Sequence, residues 1–138
     1  MYFPPFLVMP VKYVLAERGN PGNAAAPKKF YAVLKSTGEV TTRQLMKEIS
    51  ARSTVSAADT MAVIESLLEI LPEKLSQGQI VRLGDFGSFS ASVSSEGTDT
   101  AEEFTAARIT KYSIKFRPGK ELNKAVATVE YRKDESSQ

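Results

Sequence analysis

The sequence contains no cysteine and no histidine. The first absence excludes a disulfide framework and a thiolate nucleophile, and the two together remove the usual zinc ligands. Lacking histidine, the chain also lacks the commonest general base, so an enzyme built on it would depend on carboxylates, Lys, Tyr or Ser. No such constellation is visible, and the expectation is a non-enzymatic protein with no cofactor and no metal. Long apolar runs are missing too: nothing approaches the roughly 18 consecutive apolar residues of a membrane span. The apolar start, Met1 to Met9, has no basic residue and is interrupted by Pro4 and Pro5. It reads as a leader or disordered segment, with Met9-Pro10 as an alternative start, and the protein is expected to be cytoplasmic.

A strong excess of one charge is also lacking. Eighteen basic residues face 16 acidic ones for a net charge of +2, short of the balance that would by itself announce a nucleic-acid partner. Residues 1–40 carry five basic and two acidic groups, whereas residues 41–128 carry eleven of each. Any binding surface in that longer stretch must therefore arise by local clustering.

What is present is a clear order of elements. Lys12–Arg18 and Lys28–Lys35 read as two strands around the turn-rich Gly19–Asn23, forming a hairpin or a paired edge. Thr41 and Gln44 have capping-box spacing, opening a short helix that ends near Ser53. Ser56 and Asp59 repeat the signal ahead of a longer helix, whose apolar positions sweep about half its circumference. A stripe that wide fits burial on two sides, as when two subunits share a core. Pro72 predicts a bend or break, and Gly78 a stop.

From Ile80 the period changes to two. Ile80–Leu83 and Ser88–Val93 read as strands joined through Gly84-Asp85-Phe86-Gly87, where the flanking glycines predict a bulge or sharp bend rather than a hairpin turn. Ser94–Ala107 is a polar connection with four carboxylates and no basic residue. Ile109–Phe116 is a strand with Tyr112, Ile114 and Phe116 on one face and Lys111, Lys115 and Arg117 on the other. Pro118-Gly119 leads into a short helix to about Thr128, and the residues from Arg132 read as frayed.

Two passages, Val81-Arg-Leu-Gly-Asp-Phe-Gly-Ser-Phe89 and Phe116-Arg-Pro-Gly-Lys-Glu-Leu-Asn-Lys-Ala-Val126, resemble the HU/IHF family of bacterial histone-like DNA-binding proteins. With the N-terminal strands, the chain looks like the extended HU-related proteins of Bacteroides-type bacteria. The resemblance implies an α+β, HU/IHF-like fold: two N-terminal helices, a bent antiparallel sheet with a β-ribbon arm, and a short C-terminal helix, in an intertwined homodimer. On this reading the chain divides into a leader (1–9), an N-terminal β extension (10–40), an HU-like domain (41–128) and a C-terminal tail (129–138).

The resemblance further implies a nucleoid-associated protein that binds double-stranded DNA without sequence preference. Arms of this type bend DNA with a proline wedge in the minor groove. Here no proline lies between Phe86 and Arg117, and the arm tip is acidic. DNA contact is therefore expected from a basic saddle made by Arg43, Arg82, Lys111, Lys115, Arg117 and Lys120. Phe104, isolated among the acidic residues, could replace the proline as an apolar wedge. The alternative is an HU-like structural or protein-interaction module that has lost DNA binding, with the acidic arm and the N-terminal strands serving as the surface for a protein partner.

Three short motifs carry no chemistry. Asp85-Phe86-Gly87 matches the kinase metal-binding triplet by letter only, since a kinase's glycine-rich and catalytic loops are missing. Pro118-Gly119-Lys120 lacks the upstream glycine and following Ser/Thr of a phosphate loop. Glu102-Glu103 sit adjacent on a polar connection, where no shared proton or metal is held.

Overall fold

A computed structural model describes residues 9–136, so the leader reading lies outside the described residues except for Met9. The chain forms two compact units. One combines the N-terminal part up to Val40 with the stretch from Ala127 onward; the other is Thr41–Val126.

In the first unit, β1 (Val11–Arg18) pairs antiparallel with β2 (Lys29–Leu34) in the register Tyr13↔Leu34 to Arg18↔Lys29. The residues from Arg132 to Asp134, expected to be frayed, are held in place. Tyr131–Lys133 forms a strand (β6) that pairs parallel with β1, giving the order β2-β1-β6. Its anchor is Asp134, whose N–H donates to the Tyr13 carbonyl at 2.8 Å and whose carboxylate pairs with Lys35. Such a strand is too short to announce itself by alternation, and its partner lies about 120 residues away in sequence.

The second unit begins with α1 (Thr42–Arg52). Its capping box is complete: Gln44 N–H donates to Thr41 Oγ1 at 3.3 Å, and Thr41 N–H donates to Gln44 Oε1 at 2.8 Å. Helix α2 (Ala57–Ser76) starts at Ser56, whose Oγ accepts from Asp59 N–H at 3.1 Å. Pro72 does not break it; the helix runs on to Ser76. Proline there removes a single ladder bond, and the far side of the helix is secured by the Tyr112 hydroxyl, which donates to the Leu75 carbonyl at 2.5 Å. The end is a Schellman motif, with Gly78 N–H donating to Leu75 and Gln79 N–H to Lys74.

Strands β3 (Val81–Leu83), β4 (Gly87–Ser95) and β5 (Ile109–Pro118) form an antiparallel sheet in that order. The glycine corner between β3 and β4 is a tight hairpin, contrary to the bend expected from its composition. Leu83 pairs with Gly87, and Phe86 N–H donates to the Leu83 carbonyl at 3.0 Å. Gly84 makes this possible at φ 51°, a left-handed conformation that supplies the turn without polar side chains. Strands β4 and β5 pair from Gly87↔Pro118 to Ser95↔Ile109 and form a ribbon, with a bulge at Ser94/Ser95. The acidic connection closes the ribbon through a 3-10 turn at Ala106–Arg108 and an ion pair between Arg108 and Glu96 at 3.4 Å. Helix α3 (Lys120–Val126) completes the unit.

One face of this sheet is apolar. Phe89 and Phe116 pack with ring centroids 4.8 Å apart, and Phe89, Tyr112 and Ile114 line a groove with Leu71 and Leu75 of α2. The single chain nevertheless buries little. Among the described residues Met46 and Leu75 are the buried hydrophobic side chains, while Val63, Leu68, Ile70 and Ile114 stay at least half exposed.

Candidate functional site

The opposite face of the β3-β4-β5 sheet is polar because alternation leaves it so. Arg82 pairs with Ser88, and Ser88 in turn with Arg117, so the three stand in one row across the sheet. The two guanidinium-bearing positions are therefore separated by two strand spacings, roughly 10 Å. Farther along β5, Lys115 faces Ser90 and Lys111 faces Ser94. Every position of β4 on this face, Ser88, Ser90, Ser92 and Ser94, is a serine. Short side chains at those places leave the long cations of β5 uncovered.

Lys120 joins the row through the junction that follows β5. Gly119 N–H donates to the Phe86 carbonyl at 2.8 Å, and Glu121 N–H donates to the Asp85 carbonyl at 3.1 Å. These bonds pin the start of α3 against the β3–β4 hairpin. Gly119 must be a glycine for the two backbones to meet this closely: a Cβ there would overlap the Asp85 carbonyl oxygen and lie 2.7 Å from its carbonyl carbon. Two amides at this helix start are thus spent on the hairpin, and Pro118-Gly119-Lys120 is a packing device rather than an anion cradle.

Arg82, Ser88, Arg117, Lys120 and Asn123 line one open concavity of about 470 Å³. Asp85 is the acidic residue of its lining. Lys115 and Lys111 extend the same face; six residues of strand separate Lys111 from Arg117, roughly 20 Å. Arg43 is placed elsewhere, at the second position of α1, and no described contact joins it to this concavity. Among the described residues, none of the six cations lies within 4.0 Å of a carboxylate. The ion pairs of this unit are made by Arg52, Lys74 and Arg108 instead.

Sequence reasoning did not include Asn123 or Asp85 in the site. The serine alternation from Ser88 to Ser94 was the available signal for the uncovered face. Phe104, on the acidic connection, is 40% exposed.

Among the described residues no helix is long and apolar enough to cross a membrane. No curated protein matches the sequence. Among solved structures, the fold is similar to the crystal structure of a provisionally named bacterial DNA-binding protein from Bacteroides vulgatus, with a TM-score of 0.62 at 17% identity. That similarity covers 92% of this chain but 50% of the other, so the chain spans half the length of that neighbour. The family model described as an HU domain fused to a wHTH, Ig or glycine-rich motif matches residues 9–133. Nearly the whole described chain, both the N-terminal sheet and the helix-and-ribbon unit, therefore belongs to this family of HU domains fused to other motifs.

Proposed function

We propose that the protein binds double-stranded DNA through its phosphate backbone, without sequence preference, as a nucleoid-associated homodimer in the cytoplasm. The observation that carries this reading is the row Arg82–Ser88–Arg117 with Lys120 at the same concavity and Lys115 and Lys111 along the same face, all without carboxylate partners among the described residues. Cations on one sheet face, at separations fixed by the strand register, are suited to phosphates, and phosphate contacts position a protein on the duplex without reading its sequence. Arg43 would add a contact from the start of α1. The acidic connection repels phosphate, so contact is confined to the saddle and the base of the ribbon, and bending by an inserted proline is not part of the proposal.

Exposed apolar surface supports the dimer. Val63, Leu67, Leu68 and Ile70 on α2 and Ile114 on β5 are all more than 40% exposed. A unit of this size needs more burial than the single chain provides, and a second copy of the same face would supply it.

The test is a duplex titration at two salt concentrations. Counted per subunit engaged on the duplex, six saddle cations contribute about −5 to the log–log slope, a roughly thousandfold loss of affinity between about 50 and 200 mM salt, and a dimer that engages both saddles doubles the slope. Absence of binding near 50 mM would sink the DNA reading and leave the alternative, an HU-like module whose acidic arm meets a protein.

A further inference from the structure

We propose that one face of the β2-β1-β6 sheet is a second duplex-DNA surface, separate from the saddle. The proposal rests on the reading that this chain binds DNA, and concerns only the unit built from the two ends of the chain.

Charge distribution is the first observation. The helix-and-ribbon unit, Thr41–Val126, holds eleven basic and eleven acidic residues, whereas the sheet unit holds seven basic and five acidic. The entire net charge of +2 therefore belongs to the sheet unit.

Register then collects that charge on one face. Lys12, Val14, Ala16 and Arg18 alternate on β1 with Tyr13, Leu15 and Glu17. Arg18 stands directly opposite Lys29, and Lys12 directly opposite Arg132. On the β2 side, Lys35 N–H donates to the Lys12 carbonyl, which makes Lys35, Lys12 and Arg132 a single cross-strand row. Glu17, the one carboxylate within the three strands, pairs with Phe30 on the other face. Asp134 neutralises Lys35 alone. Among the described residues Lys12, Arg18, Lys29 and Arg132 make no ion pair, and Glu130 makes none either.

Like charges at directly facing positions destabilise a sheet. Two such pairs stand in a three-stranded sheet whose ion-paired carboxylate, Asp134, is taken up by Lys35, and they are a cost that folding does not require. A polyanion laid on this face removes it. The basic rows at Lys12 and Arg18 are roughly 20 Å apart, the rise of about six base pairs at 3.4 Å each. Duplex is favoured over single strand because, among the described residues, this face offers no free aromatic platform. Tyr31 is the aromatic on this face, and its ring is already covered by the Arg18 guanidinium, 5.9 Å from the centroid. Phe30, Tyr13 and Tyr131 belong to the opposite face. Stacking of splayed bases is what a single-strand site needs; backbone contact needs only the cations.

The experiment measures the salt slope of duplex binding by the full chain in four variants. Lys12→Gln, Arg18→Gln, Lys29→Gln and Arg132→Gln together should reduce the slope by about 3–4 per subunit engaged, one for each phosphate contact removed. Their melting temperature should hold or rise, because the facing like charges are gone. The single change Lys29→Gln should reduce the slope by about 1 and serves if the fourfold variant folds poorly. Lys47→Gln, Arg52→Gln and Lys74→Gln, on the helices, should leave the slope unchanged; an equal drop there would overturn the proposal by reducing it to overall charge. The saddle variant Arg82→Gln, Arg117→Gln, Lys120→Gln separates the two surfaces. If it loses the salt-dependent binding while the fourfold sheet variant matches wild type, the second surface is overturned and the saddle reading stands. Tighter binding of single strand than duplex would overturn the choice of duplex. A wild-type chain that binds no DNA overturns both surfaces.

Discussion

Replacing Gly119 by alanine should destabilise the helix-and-ribbon unit far more than a single methyl group suggests. The new Cβ would overlap the Asp85 carbonyl oxygen and lie 2.7 Å from the Asp85 carbonyl carbon and 3.0 Å from that of Phe86. All three are backbone atoms, so no rotamer change relieves the clash and the hairpin must separate from α3. Two hydrogen bonds then lengthen or break, Gly119 N–H to Phe86 at 2.8 Å and Glu121 N–H to Asp85 at 3.1 Å. At about 1 kcal/mol for each bond and about 1–3 kcal/mol for overpacking, the expected loss is roughly 3–5 kcal/mol. Urea unfolding followed by circular dichroism measures it. The matched control is Gly97→Ala, where a Cβ meets nothing within 4 Å; its stability should stay level or rise by up to about 1 kcal/mol. A Gly119→Ala variant within about 0.5 kcal/mol of wild type would refute the close-approach reasoning. If it binds DNA as wild type does, the role given to this junction in holding Lys120 beside Arg82 and Arg117 is refuted as well.

Three further outcomes are expected. Ile114→Glu places a charge on the exposed apolar face of β5, and light scattering should report monomer where wild type is dimeric; a persisting dimer places the interface elsewhere. Arg117→Gln should lower the salt slope of DNA binding by about 1 per subunit engaged and weaken all duplex sequences alike. Hydrogen bonds from Lys35 and then Ser136 hold the Asp134 carboxyl down at about 2, from an ordinary 3.8. Because the folded value is the lower one, this contribution is complete above about pH 4 and fades as pH falls towards 2. Asp134→Asn should remove that part of the acid dependence from the sheet unit's unfolding, and an unchanged pH profile would show the contact to be inert.

The parts of the fold that were legible in the sequence are those decided within a few residues. The Thr41–Gln44 and Ser56–Asp59 caps and the Gly78 stop each depend on hydrogen bonds spanning three to five positions. Alternation in Ile109–Phe116 placed Lys111, Lys115 and Arg117 on one face, because strand geometry has a period of two whatever the partner. The glycine corner was misread because turn chemistry was judged by polar residues, whereas Gly84 reaches the left-handed conformation by having no side chain. Pro72 was overvalued as a breaker, since one missing ladder bond is outweighed when the rest of the helix is held.

By itself, then, the sequence determined the identity and order of the elements from β1 to α3, the helix starts and the face on which the charges of β5 lie, all consequences of local geometry. Only the tertiary structure decided that Arg82, Arg117 and Lys120 share one concavity while Arg43 lies elsewhere, and that Tyr131–Lys133 is a strand beside β1. Those outcomes depend on which strands pair and in what register. Pairing is a choice among distant segments with similar local preferences, settled by the summed contacts of the whole unit rather than by any one stretch of chain.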